Sequence, residues 1–168
     1  MVKSVRANVL KNKLSNDSFY KLDCVFDEFD KKQIDSIIYI YVLAGFSAID
    51  VRLNLDSVIQ AKDAISKAMY FAKKIEKPIL NSPFLIISIF SSELINKDFY
   101  QFEKILRLCQ SEGVDFFELH IDISDLNLIK DKLLIVKKVF NFKPISINIS
   151  RDKFSNAIIV EIIKYFRA

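Results

Sequence analysis

The chain contains only two glycines, Gly45 and Gly113, and both occupy the same place in a repeated local pattern. Each follows an apolar helical stretch and precedes a short apolar segment with an acidic residue at its centre, Asp50 or Glu118. Glycine is favoured just past a helix because it adopts the left-handed backbone conformation without a steric penalty from Cβ. The two glycines therefore predict two helix-to-strand joints. The distance between them leaves room for about two strand–helix units, at about 30 residues each.

Five short stretches rich in aromatic and β-branched residues predict β-strands. They cover residues 19–25, 48–53, 84–90, 116–121 and 145–149. Between them, apolar residues recur at the helical period, and one such stripe predicts a helix over 31–44. The helix caps that we expect are Asp30, Asp98 and Ser124. The chain therefore predicts a series of five strands that alternate with helices.

The predicted strands alternate between apolar and polar residues, although parallel strands covered on both faces are usually apolar throughout. Every second residue of the strands is mostly polar, and we call this set the polar parity and the intervening set the apolar parity. The polar parity comprises Lys21, Asp23, Asp50, Arg52, Ser88, Glu118, His120, Asp122, Ser146, Asn148 and Ser150. Helices are therefore expected on one face of a parallel sheet only, as in a (β/α) barrel. Five units cannot close the usual eight-stranded barrel. We predict an α/β fold that is a partial (β/α) barrel, with a polar concave face open to solvent or to a partner.

The composition is typical of a single globular domain, since 51% of the 168 residues are hydrophobic. We expect residues 18–168 to form the barrel domain and residues 1–17 to be a loosely ordered N-terminal segment. The net charge of +4 is spread along the chain, which argues against a nucleic-acid partner. The uncharged stretch between Asp35 and Asp50 is shorter than a membrane span, so no membrane partner is expected.

The cysteines and the N-terminus indicate the compartment. Cys24 and Cys109 are far apart, and no Cys-x-x-Cys motif is present, so the sequence predicts neither a disulfide framework nor a cysteine metal site. The first residues lack the apolar run of a secretory signal. We therefore expect a cytoplasmic protein.

Five segments resemble, in a consistent order, the cyanobacterial LdpA-like proteins. The matching segments are 19–24, 41–51, 83–89, 114–120 and 144–148. This resemblance implies a barrel-like fold and a role in light or redox input to the circadian clock. It also implies a ferredoxin-type iron–sulfur segment after the third strand. At that place the chain has residues 91–98, which contain no cysteine, and two distant cysteines cannot hold a cluster. The chain therefore resembles a reduced form of the family, and we expect no cofactor.

Polar residues near the carboxyl ends of the strands form the candidate site, because barrel enzymes place their catalytic groups there. The predicted ligand-binding residues are Asp50, Arg52, Ser88, Glu118 and His120. An acid pair, a guanidinium and an imidazole could bind a small anionic ligand and move a proton. The alternative is that these groups form ion pairs with one another or face water, and we favour that alternative.

Other chemistries have weaker support in the sequence. His120 is the only histidine, so no metal cage of histidines can form, and we expect no metal site. Cys24 would be a nucleophile only if His120 or Lys21 lowered its pKa, and an isolated cysteine is more often an inert packing residue. The predicted loops after the strands contain no glycine, which argues against a nucleotide cofactor.

Two functions remain open at this point. The first is a non-catalytic binding or scaffold module that associates with a protein partner or with itself, because an incomplete barrel leaves edge strands and apolar rims to be covered. The second is a small barrel-type enzyme or a binder of an anionic metabolite. We favour the first and expect a dimer without catalytic residues.

Overall fold

A computed structural model of the protein describes residues 19–24, 31–77, 81–140, 145–149 and 153–167. Its parallel sheet has the strand order β1-β2-β3-β4-β5. The strands are β1 (Lys21–Cys24), β2 (Ala48–Arg52), β3 (Phe84–Phe90), β4 (Phe116–Ile121) and β5 (Ile145–Ile149). The helices are α1 (Lys31–Leu43), α2 (Leu55–Lys74), α3 (Ser91–Ile95), α4 (Phe99–Ser111), α5 (Lys130–Val139) and α6 (Asn156–Arg167), and a 3₁₀ turn covers Leu126–Ile129. The predicted α/β alternation is confirmed.

The main core lies between the sheet and the helices. Strand residues of the apolar parity, such as Ile87 and Leu119, are fully buried and belong to one cluster with Val58 of α2, Leu106 of α4 and Val136 of α5. Burying each such side chain stabilises the fold by about 1.5–3 kcal/mol relative to leaving it in water. The helices therefore cover one face of the sheet, as expected for a partial barrel.

The opposite, concave face was predicted to be polar throughout, and this prediction is wrong at its amino-terminal end. Ala48, Phe84, Ile86 and Phe116 form a second buried cluster there, against which Phe19 packs. The rings of Phe84 and Phe116 lie 5.0 Å apart. The side chains of successive layers fill a barrel interior, and this layer is apolar because β2, β3 and β4 begin with apolar residues on this face. Polar residues begin one layer higher.

The concave face is closed to solvent at its central strands, where the prediction placed solvent or a partner, while Ser146 and Asn148 of β5 on the same face are exposed. Asp50 and Ser88 are 0% exposed, and Glu118 is 5% exposed. Curvature explains this burial. Nζ of Lys21 on β1 lies 2.5 Å from Oε1 of Glu118 on β4, three strands away. Strands in a flat sheet would separate by about 4.8 Å each, or about 14 Å in total. The sheet therefore curls until side chains of β1 and β4 meet in one interior.

Both glycine joints have the backbone geometry that the sequence predicts. Gly45 has φ +91° and Gly113 has φ +94°. After α1, the amide of Phe46 donates to the carbonyl of Tyr41, and the amide of Gly45 donates to the carbonyl of Val42. The amides of Val114 and Gly113 bond to α4 in the same pattern. These are Schellman motifs, in which a left-handed residue ends the helix.

A third joint uses the same motif without glycine. After α2, Glu76 has φ +53°, and the amides of Glu76 and Lys77 donate to the carbonyls of Lys73 and Ala72. A glutamate in this region is strained by about 1–2 kcal/mol. The sequence places a joint before β3 but does not predict this motif, because no glycine marks it.

The expected caps have mixed outcomes. Asp98 accepts from the amide of Gln101 at 2.9 Å and begins α4, as predicted. Ser124 was expected to cap the next helix, but Asp125 takes that role by accepting from the amide of Asn127. Asp30 and the N-terminal segment 1–17 lie outside the described residues. Within the described part of the chain, no helix is long and apolar enough to cross a membrane.

The joints predict opposite effects for two exposed substitutions. Gly113→Ala should lower the free energy of unfolding by about 1–2 kcal/mol, because alanine is strained at a positive φ even though its Cβ would touch nothing. Glu76→Gly should raise it by up to about 1 kcal/mol, because the same strain is removed. Urea denaturation measures both. A destabilising Glu76→Gly, or a neutral Gly113→Ala, would contradict the assignment.

Candidate functional site

A cluster of charged residues lies on the concave face above the apolar layer, and its centre is the ammonium group of Lys21. Nζ of Lys21 lies 2.9 Å from Oδ2 of Asp50 and 2.5 Å from Oε1 of Glu118. Asp23 is further away, with Oδ2 at 3.9 Å. Lys21 and Asp23 come from β1, Asp50 from β2 and Glu118 from β4. Because β1 alternates, its lysine and aspartate point to the same side of the sheet.

The pKa values of the two inner carboxyl groups are shifted in opposite directions, because burial prevails at Asp50 and the contact with Lys21 prevails at Glu118. Burial raises the pKa of Asp50 to about 7, although Lys21 lies beside it and the Ser88 hydroxyl donates to its Oδ1 at 2.5 Å. Burial also acts on Glu118, but the hydrogen bond from Lys21 outweighs it and the pKa of Glu118 is lowered. For Lys21, the carboxylates outweigh burial and its pKa is raised. The lysine therefore remains charged and holds Glu118 ionised.

His120 follows Glu118 on β4 and faces the same cluster. Its Nε2 atom is buried and lies 3.3 Å from Oε1 of Glu118, but it has no hydrogen-bond partner among the described residues. Burial lowers the pKa of His120 more than Glu118 and Asp23 raise it. The imidazole is therefore neutral at pH 7, and one of its ring nitrogens carries a lone pair.

The curvature also brings together three side chains of the types that bind metal ions. One ligand atom each from Asp23, Asp50 and His120 lies within 4.8 Å of the other two. Two of these residues come from adjacent strands, and His120 reaches them from β4. The sequence analysis treated the lone histidine as an argument against a metal site, because it could not know that β4 would curl over β1 and β2.

Arg52 was predicted to belong to the same site, but it pairs with a residue outside the cluster. Its Nη2 atom lies 2.6 Å from Oε1 of Glu93 in the first turn of α3. Both side chains are about one-third exposed, at the carboxyl-terminal rim of the sheet. The guanidinium expected for an anionic ligand is therefore engaged in a rim ion pair.

The rim near α3 is held by two charged residues that the sequence analysis did not single out for this role. Asp122, just after β4, accepts hydrogen bonds from the Ser91 hydroxyl, the Ser92 amide and the Ser92 hydroxyl, and so caps the start of α3. Lys132 of α5 is 5% exposed and donates to the carbonyls of Leu94 and Ile95. Its charge meets the carbonyl end of the same helix, where a cation is favourable.

Neither cysteine has the environment of a nucleophile. Burial raises the pKa of Cys24 to about 12, and the carboxylates of Asp23 and Asp50 add to this effect. Burial likewise raises the pKa of Cys109 to about 11. Both cysteines are free thiols within the main core. The proposed activation of Cys24 by Lys21 or His120 is therefore opposed by its surroundings.

The structure thus brings Asp50, Ser88, Glu118 and His120 together and places Arg52 elsewhere. Asp50 and Glu118 occupy matching positions in the repeated patterns that follow Gly45 and Gly113, and in the structure both side chains bind the same ammonium group. Lys21 and Asp23 were missing from the predicted site. The polar alternation of β1 was the signal that could have placed them there.

Comparison with known proteins shows the fold only. No protein-family model matches the chain, and no curated protein matches it. The fold is similar to that of an aldo-keto reductase from Bombyx mori, solved in complex with NADP, with a TM-score of 0.51 and 13% sequence identity. The similarity covers 88% of this chain and 50% of that one. The chain therefore spans about half the length of the reductase that it matches.

The raised pKa of Asp50 predicts a pH dependence of stability. Between pH 4 and pH 7 the folded state holds a proton on Asp50 that the unfolded state has lost, so its contribution to stability falls as pH rises through this range. Asp50→Asn removes that dependence. Relative to wild type, we expect Asp50→Asn to become more stable by a few kcal/mol, on the order expected from linkage, from pH 4 to pH 7. Chemical denaturation in chelator-containing buffer measures the change.

The control for Asp50→Asn is a carboxylate whose pKa is shifted in the opposite direction. The hydrogen bond from Arg107 lowers the pKa of the exposed Glu103, so its contribution is present at neutral pH and is lost as pH falls. Glu103→Gln should therefore become relatively less stable as pH rises through the acid range. If Asp50→Asn changed in that same direction, Asp50 would be an ionised partner of Lys21 rather than a largely protonated acid.

Proposed function

We propose that the chain is a non-catalytic binding module that associates through the open edges of its sheet, with a second copy of itself as the partner. The observation that supports this most directly is the sheet order, in which β1 and β5 each have a single neighbouring strand among the described residues. Such an edge carries a row of backbone donors and acceptors that can pair with another chain.

Burial along the strands adds support at β5. The central strands β2, β3 and β4 are buried along nearly their whole length. In β5, by contrast, Ile145, Ile147 and Ile149 are half-buried and Ser146 and Asn148 are exposed. An aliphatic edge strand with this degree of exposure is the part of the sheet that a second protein surface would cover most favourably.

The state of the polar cluster argues against catalysis. Asp50 is 0% exposed, so a substrate has no access to the one carboxyl group whose pKa lies near 7. Lys21 binds two carboxylates, and the cysteines are protonated thiols at neutral pH. The cluster also holds three carboxylates beside one ammonium, which opposes the alternative function of binding an anionic metabolite.

The biological setting that we propose comes from the sequence alone. The resemblance to LdpA-like proteins supports a role in light or redox input to a cyanobacterial clock, exercised by protein contacts rather than by an iron–sulfur cluster. Two free thiols and no disulfide support a cytoplasmic location.

Light scattering coupled to size exclusion tests the proposal. At tens of micromolar, we expect the mass of two 19.5 kDa chains. Asn148→Lys places a charge on the exposed side of β5 and should shift the mass to that of one chain, because edge lysines oppose strand pairing. Asn81→Lys, also exposed but just before β3, should leave the dimer intact. A wild-type monomer at this concentration, or equal behaviour of the two variants, would overturn the proposal.

A further inference from the structure

The polar cluster holds more carboxyl groups than ammonium groups among its described members. Asp23, Asp50 and Glu118 surround the ammonium of Lys21. A group of this composition in a largely buried place favours a cation, because carboxyl oxygens removed from water need positive partners or hydrogen-bond donors.

We propose that Asp23, Asp50 and His120 bind a divalent transition-metal ion, with Zn²⁺ as the ion whose chemistry fits best. Their ligand atoms already lie within 4.8 Å of one another, so one ion can reach all three after small side-chain movements. One imidazole nitrogen and two carboxylate oxygens match the donor types that Zn²⁺ takes at a site with three protein ligands.

His120 provides an independent indication that the group is a site and not merely a set of acidic residues. The residue is 9% exposed, and its buried Nε2 atom has no hydrogen-bond partner within the described ranges. Leaving a buried polar atom unpaired is unfavourable, and a metal ion bound at the ring would remove that penalty.

Lys21 does not block this site, although it lies beside it. In Asp50, Oδ2 accepts from Lys21 and Oδ1 accepts from Ser88. A carboxylate has about four lone-pair positions, so both hydrogen bonds leave capacity for an ion. Asp23 is partly exposed, with 29% of its side chain accessible, and this gives an ion a route from solvent. The site thus combines the buried carboxyl of Asp50, the buried imidazole of His120 and the accessible carboxylate of Asp23.

The single histidine makes the test unambiguous. The full chain, without a polyhistidine tag, is labelled with ¹⁵N and titrated with Zn²⁺, and the imidazole nitrogens of His120 are followed by NMR. We expect one ring nitrogen to move to a metal-bound shift and the change to saturate at one equivalent. If Zn²⁺ left the imidazole signals unchanged, the proposal would be overturned.

Variants identify the other ligands by competition with a chromophoric chelator. His120→Gln and Asp23→Asn should each weaken Zn²⁺ binding at least tenfold, because each removes one of three ligands. Cys24→Ser is the matched control, since this thiol follows Asp23 in β1 but lies in the main core rather than in the cluster, and it should leave the affinity unchanged. Equal affinity in His120→Gln, or loss of binding in Cys24→Ser, would also overturn the proposal. The NMR titration decides the question if a variant fails to fold.

Discussion

The contact of one ammonium group with carboxylates from two other strands is the interaction on which the concave side of this protein depends. Lys21 on β1 binds Asp50 on β2 and Glu118 on β4. The sheet must curl for these atoms to meet, and the curl buries both carboxyl groups and leaves Lys21 half-buried. A buried ion pair of this kind adds less to stability than its short distances suggest, but removing one partner leaves a buried charge uncompensated. The cluster therefore fixes the curvature more than it adds stability.

The curvature links the fold to the proposals about function. A flat sheet would expose the polar parity to water and leave His120 far from Asp23. In the curled sheet, the same residues form a largely buried polar cluster, below which Phe84 and Phe116 fill the interior. The strand order leaves β1 and β5 at the edges of the described sheet, where we propose that a second copy adds. Curvature thus accounts for the candidate metal site, and strand order for the candidate interface.

Much of the fold could be predicted because local physics determines it. Glycine at a positive φ marked two helix ends, and strand alternation indicated that helices cover one face. The apolar layer on the concave face was missed because Phe84 and Ile86 belong to a strand that is apolar on both sides. The pairing of Arg52 with Glu93, and of Lys21 with Glu118, depends on how far the sheet curls. No local sequence pattern determines how far the sheet curls.

A double-mutant cycle on Lys21 and Glu118 tests this account most directly. The cycle compares Lys21→Met, Glu118→Gln and the double variant by chemical denaturation, with Lys62 and Glu112, an exposed pair at 2.8 Å, as the reference. The account predicts a coupling free energy of about 2 kcal/mol or more for the buried pair and below about 1 kcal/mol for the exposed pair. A coupling between Lys21 and Glu118 no larger than that of the surface pair would contradict it, because β1 and β4 would then not share one interior.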